Sequence, residues 1–153
     1  MIKYIKGKNM SNKIDVKEIN DAVNAANDAL YNLSNAEAIL KDVKGWGIVD
    51  ILGGKMIVTG IKRMKMMEAD ECLKIAQQSL YDLNEELHDI GEYFGLSNVN
   101  DGGLAIMDFM FDNFFTDMLT QSKINQALEK VRKAMAQVEG VLDALEEIGA
   151  KLV

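Results

Sequence analysis

The chain has 153 residues, 48% of them hydrophobic, which is enough for one domain with a continuous core. Its formal net charge of −7 argues against nucleic acid as a partner, because phosphate binding requires a basic face. The chain has neither a signal-peptide-like apolar segment nor a stretch of about 18 uncharged apolar residues, so we predict a cytoplasmic protein. The single cysteine, Cys72, cannot form an internal disulfide and is predicted to lie in the core.

The N-terminal part of the chain divides into a basic segment and a first helix. Residues 1–14 are predicted to form a basic tail or leader, and residues 15–153 a single helical domain. Asp15 and Glu18 have the spacing of a capping box, so we predict a helix from Asp15 to about Lys44.

The larger apolar residues of this first helix form an interrupted stripe. They are Val16, Ile19, Val23, Ala26, Leu30, Leu33, Leu40 and Val43. Ser34 and Glu37 repeat the capping-box pattern where the spacing breaks, so we predict a kink or a change of register there.

Gly45 to Gly54 contains four glycines and is predicted to be a turn into a second helix, from about Met56 to Tyr93. Apolar residues recur at every third or fourth position of the second helix without a gap. They are Met66, Ala69, Leu73, Ala76, Leu80, Leu83, Leu87, Ile90 and Phe94. Such a stripe is stable in water only when other helices cover it.

Turn-forming residues at 95–103 separate the second helix from a segment, 104–119, that is apolar nearly all round and rich in phenylalanine. A last helix is predicted from Lys123 to about Ile148, with apolar residues again three or four positions apart. We therefore predict an all-α fold: an antiparallel three-helix bundle with coiled-coil-like seams plus a short Phe-rich helix.

The charge distribution leads to a prediction of helix direction. No lysine or arginine occurs between Ile75 and Ser122, although this span contains nine acidic residues. In an up-down-up bundle these acids would share one end with the N-terminal lysines, and the lysines around the first turn would face the acids at the end of the last helix. We therefore predict the up-down-up order.

Three motifs partly match known chemical sites. Gly53-Gly54-Lys55 lacks the first glycine and the Ser or Thr of a phosphate loop. Residues 97–108 have the length of a calcium loop but the wrong residues at two ligand positions, so only a weak calcium contact remains open. Glu85 and His88 have the Glu-x-x-His spacing of di-metal bundles, which need that motif twice, whereas this chain has one histidine. We predict no enzyme activity, no cofactor and no metal site.

Two apolar patches are candidate interaction surfaces. The first lies in the Phe-rich segment, where burial in an extended core is the ordinary interpretation and contact with a partner or a second copy is the alternative. Its residues are Met107, Phe109, Met110, Phe111, Phe114 and Phe115. The second surrounds the predicted turn and has a basic flank suited to an anionic membrane surface. Its residues are Trp46, Ile48, Leu52, Lys55, Lys62 and Arg63.

Two motifs carry a resemblance to a known group of proteins. The run from Trp46 to Gly54, WGIVDILGG, and the Phe-rich stretch leading into Gln121-Ser122-Lys123-Ile124 resemble uncharacterised helical proteins of Gram-positive bacteria. The resemblance covers about residues 40–130. It implies two long helices joined by the turn, and it carries no assigned activity.

The sequence supports two main functional hypotheses. The first is a non-enzymatic helical-bundle interaction or structural protein that associates with itself or with another protein. The alternative is a peripheral membrane module that uses the Gly/Trp-rich turn. A metal-dependent enzyme is a third class, which rests only on the spacing of Glu85 and His88.

Overall fold

A computed structural model describes the backbone of residues 2–52, 55–94 and 121–152, and the side chains of residues 16–45, 64–90 and 123–151. These residues form three helices, which we number in chain order. They are α1 (Ile2–Leu52), α2 (Lys55–Phe94) and α3 (Gln121–Leu152).

Within the described ranges the chain contains no strand, and α1 packs against both α2 and α3. The predicted all-α three-helix bundle is therefore confirmed. The short Phe-rich helix predicted at 104–119 lies outside the described residues.

The observed boundaries of α2 and α3 agree with the predicted ones, and those of α1 differ. α2 and α3 begin and end within a few residues of the predicted positions. α1 begins at Ile2 instead of Asp15 and continues to Leu52, so most of the predicted turn is helical. No proline interrupts the chain, and Gly45 costs a helix only about 1 kcal/mol relative to alanine, which tertiary packing can offset.

The buried side of α1 is an unbroken seam with alternating spacings of three and four residues. Its residues are Ile19, Ala22, Ala26, Ala29, Leu33, Ala36, Leu40 and Val43. Half of these positions are alanines, whose small side chains let neighbouring backbones approach closely. The seam runs through Leu33, Ala36 and Leu40 without interruption, so the change of register predicted at Ser34 does not occur.

α2 and α3 complete the core with larger side chains. The fully buried ones include Met66, Leu80, Leu83, Leu87 and Ile90 on α2, and Ile124, Val131 and Leu145 on α3. Cys72 is half-buried and packs against this core, and burial raises the pKa of its thiol. The prediction that Cys72 lies in the core is therefore correct only in part.

The contacts between α1 and α2 show that these helices are antiparallel. Asp42, near the end of the described side chains of α1, pairs with Lys65 near the start of those of α2. Farther down, Asn32 contacts Ser79, and Glu18 lies beside Glu86. We call the end that contains Asp42 and Lys65 the upper end, and the end that contains Glu18 the lower end.

α3 also runs antiparallel to α1. Arg132 pairs with Glu37 in the upper half, and a Cβ atom at Gly149 would lie 3.5 Å from Cγ2 of Ile19 near the lower end. Residue numbers along α1 therefore decrease in the direction in which those along α3 increase. α2 and α3 are consequently parallel to each other, and the predicted up-down-up order is wrong.

This direction changes the predicted charge pairing. The acids between Glu139 and Glu147 lie toward the lower end instead of facing the lysines of the upper end. α2 ends and α3 begins at opposite ends of the bundle. None of the helices, over the residues described, is long and apolar enough to cross a bilayer.

Candidate functional site

The middle of the α1–α2 interface holds a polar contact between otherwise apolar layers. The Asn32 side-chain amide donates a hydrogen bond to Oγ of Ser79, and this hydroxyl donates in turn to the carbonyl oxygen of Ile75, 3.1 Å away. Ser79 is the one polar residue among the described side chains that is classed as buried. Because its hydroxyl proton points at a backbone carbonyl and not at a base, Ser79 is not arranged as a nucleophile.

A polar cleft extends along the α1–α2 interface beside this contact. It has a volume of about 310 Å³. Its lining residues are Asp21, Asn24, Ala25, Asp28 and Asn32 on α1, and Ser79, Asp82 and Glu86 on α2. Four of the eight are acidic, so we call this feature the acidic cleft.

At Glu86, on the lower side of the acidic cleft, carboxylates from both helices lie close together. One carboxylate oxygen each from Glu18, Glu86 and Asp89 lies within 4.8 Å of the others. Burial raises the pKa of the Glu86 carboxyl, and the negative charges of Asp21, Glu18, Asp89 and Glu85 raise it further. This part of the interface is therefore destabilised by like charge at neutral pH.

In the upper half of the bundle, charges of opposite sign lie next to one another. Lys65 of α2 lies 3.1 Å from Asp42 of α1, and Nε of Arg132 on α3 lies 3.0 Å from Oε2 of Glu37. The hydrogen bond from Arg132 lowers the pKa of Glu37, despite partial burial of that carboxyl, and Lys41 lowers it further. These pairs are partly exposed, so each contributes little to stability but favours the observed neighbours.

A second stripe runs along α2 on the side opposite the core. Its positions alternate at spacings of three and four residues, as a helix-packing seam does. They are Met64, Met67, Glu71, Lys74, Gln78 and Tyr81, and we call them the outer stripe of α2. Met64 is 64% exposed and Met67 is 60% exposed, and the neighbouring Ile75 is 48% exposed. α2 thus has a helix-packing pattern on both sides, and α1 covers only the inner one.

All of the predicted interaction residues lie outside the described side chains. Met107, Phe109, Met110, Phe111, Phe114 and Phe115 lie outside the described residues altogether. Trp46, Ile48 and Leu52 belong to α1, and Lys55, Lys62 and Arg63 to α2, by their backbones alone. The three α1 residues are therefore helical and not part of a loop.

The acidic cleft and the outer stripe were both missed by the sequence prediction. The sequence shows a span of nine acids, but the proximity of Glu86 and Asp89 to Glu18 depends on the pairing of α1 with α2. The outer stripe was detectable from the spacing of Met64 and Met67, but the stronger inner seam hid it. Glu85 and His88, which carried the metal-enzyme hypothesis, are both exposed.

No protein-family model, no curated protein and no solved structure matches this chain.

Proposed function

We propose that this chain is a non-enzymatic helical-bundle interaction or structural protein of the bacterial cytoplasm that associates with itself. The observation that carries the proposal is the outer stripe of α2, where Met64 and Met67 are more than half exposed on a helix already packed on its other side. Large apolar side chains in a row on a helix are typical of surfaces that another helix covers. Methionine suits such surfaces because its flexible thioether adapts to a partner.

The Phe-rich segment is the second part of the proposal. Four phenylalanines between positions 109 and 115 add apolar surface to a chain of 17.0 kDa whose described helices already share one buried core. We assign this segment to the self-association contact as well.

The proposal is tested by the mass of the protein in solution. Light scattering coupled to size exclusion should give a mass above 17.0 kDa that rises with concentration. The double variant Phe111→Ser, Phe115→Ser should lower that mass, whereas Tyr31→Ser should not, although Tyr31 is 69% exposed on α1. A strict monomer at high concentration would overturn the proposal.

The alternative function is attachment to an anionic membrane surface. Met64 and Met67 favour it, since they lie close after Lys62 and Arg63 and are well exposed. Lys65 weakens it, because its ammonium group already pairs with two carboxylates of the protein, those of Asp42 and Glu68.

Vesicle sedimentation separates the two functions. A membrane module should bind anionic vesicles at low salt and release them as salt screens the lysines. We expect the protein to stay in the supernatant with anionic and neutral vesicles alike. Salt-sensitive binding to the anionic vesicles alone would favour the membrane module.

A further inference from the structure

The middle of the outer stripe of α2 carries one charge of each sign. Glu71 is exposed, and the Lys74 side chain is 70% exposed although its ammonium group lies 2.8 Å from Asp70. Apolar side chains flank this charged centre, with Met64 and Met67 on one side and Tyr81 on the other. The stripe therefore has a charged centre, an apolar end at Met64 and Met67, and a mixed end where the Gln78 amide, which donates to Asp82, lies beside Tyr81.

When two copies of α2 pack antiparallel, the outer stripe of one copy is complementary to the outer stripe of the other. A two-fold axis between positions 72 and 73 places Glu71 of each copy opposite Lys74 of the other. The same register places Met67 opposite Gln78 and Met64 opposite Tyr81 of the second copy. Sulfur–aromatic contacts of this kind are favourable, and each opposite-charge pair forms twice because the axis repeats it.

The flanking positions are compatible with this register. Beside the stripe, Glu68 would meet Ile75 of the second copy, and Asp70 would meet Gln77 of the second copy. Neither pair brings like charges together. A parallel pairing would instead stack Glu71 on Glu71 and Lys74 on Lys74, which is unfavourable.

From this complementarity we infer that the outer stripe of α2 is a homodimer interface, and that its occupant is α2 of a second copy in antiparallel orientation about positions 72 and 73. The inference rests on the proposed self-association and names a surface for it. From Met64 to Tyr81 the stripe is about 26 Å long at roughly 1.5 Å per residue, which is the length that the second copy of α2 would cover.

Charge exchange tests this register directly. In Glu71→Lys both interfacial pairs become lysine against lysine, and in Lys74→Glu both become glutamate against glutamate. Each variant should dimerise roughly tenfold more weakly than the unmodified chain at low salt, since two attractive pairs become repulsive. Analytical ultracentrifugation measures the dissociation constants.

Restoration is the decisive part of the experiment. An equal mixture of the two variants should associate again, as a heterodimer, because every lysine of one chain then faces a glutamate of the other. The double variant Glu71→Lys, Lys74→Glu should likewise recover the dissociation constant of the unmodified chain. The matched controls Glu139→Lys and Lys133→Glu, both at exposed positions of α3, should leave it unchanged. Circular dichroism should confirm that all variants remain helical.

The outcomes separate this inference from the proposed function. Self-association that is indifferent to all these charges would overturn the α2 interface and leave association through the Phe-rich segment standing. Weakening in both single variants without restoration in the mixture or the double variant would overturn the register, and with it the inference. A monomeric unmodified chain would overturn both the interface and the proposed function.

Discussion

Alanine is the residue that determines how closely α1 approaches its neighbours. Ala22, Ala26, Ala29 and Ala36 are fully buried in its seam. Each removes little apolar area from water on its own, so the larger side chains of α2 and α3 supply most of the hydrophobic stabilisation. The small volume of the alanines leaves room for those larger residues in the same core.

Leu83 tests this assignment of the core. It is 1% exposed on the inner seam of α2, so Leu83→Ala should lower the free energy of unfolding by about 2–5 kcal/mol, through lost burial and the cavity left behind. Urea denaturation measures the change. Glu85→Ala, an exposed position on the same helix, serves as the control and should change stability by less than about 0.5 kcal/mol. A loss for Leu83→Ala as small as that of the control would place Leu83 on the surface.

The contact between Asn32 and Ser79 should contribute a measurable coupling between α1 and α2. A double-mutant cycle with Asn32→Ala and Ser79→Ala should give a coupling free energy of about 0.5–1.5 kcal/mol, as for other partly buried neutral hydrogen bonds. The exposed pair Gln78 and Asp82, within one helix, is the matched cycle and should give less than half of that. Equal couplings in the two cycles would show that burial of Ser79 adds nothing.

At the scale of the helices, the sequence predicted features that depend on neighbouring residues in the chain. It did not predict features that depend on which helices pack together. The boundaries of α2 and α3 follow from apolar spacing, which the chain itself encodes. In α1 the spacing of the large apolar residues breaks at Ser34, but the buried seam continues there through the small Ala36, which is fully buried. The position of the acidic cleft could not be predicted, since it depends on which residues of α1 face Glu86.

The direction of α3 was predicted from charge, and this prediction failed for a physical reason. Surface ion pairs contribute only about 0–1 kcal/mol each, so charge complementarity is too weak to determine the direction of a helix with a continuous apolar seam. The acids at the end of α3 therefore lie at the lower end although Asp82, Glu86 and Asp89 are already there.

A disulfide tests that direction. Ile19→Cys with Gly149→Cys, in a chain that also carries Cys72→Ala, should form an intramolecular disulfide under mild oxidation, because a Cβ at Gly149 lies within contact distance of Ile19. Peptide mapping by mass spectrometry detects the link. The matched pair Ile19→Cys with Ile124→Cys should stay reduced, since Ile124 belongs to the upper end. A disulfide between positions 19 and 124, with none between positions 19 and 149, would show that α1 and α3 are parallel, as in the up-down-up order.

For the molecule as a whole, charge divides the bundle into two unlike halves. The upper half holds cross-helix pairs of opposite sign, including Asp42 with Lys65 and Glu37 with Arg132. The lower half holds the acidic cleft, where carboxylates of α1 and α2 lie side by side. Acidification therefore acts on the two halves in opposite directions.

The sign of each effect follows from the pKa shifts. The pKa of Glu86 is raised in the folded protein, so folding binds its proton more tightly, and stability increases as pH falls through that raised pKa toward the unfolded value near 4.5. The pKa of Glu37 is lowered, so its contribution is present above about pH 4.5 and is lost only as pH falls below that value. As pH falls, Glu86 therefore gains its proton before Glu37 does, because the two pKa values are shifted in opposite directions.

We therefore expect the protein to be more stable to urea at pH 5 than at pH 7. Glu86→Gln should raise the stability at pH 7, because it removes one of the carboxylates that repel one another, and should reduce the gain on acidification. Glu139→Gln, at an exposed position of α3, should keep the full gain. Urea midpoints at pH 7, 6 and 5 for the three proteins measure these effects. If Glu86→Gln is less stable than the unmodified chain at pH 7, or gains as much on acidification, then repulsion at the lower end does not limit the stability of this bundle.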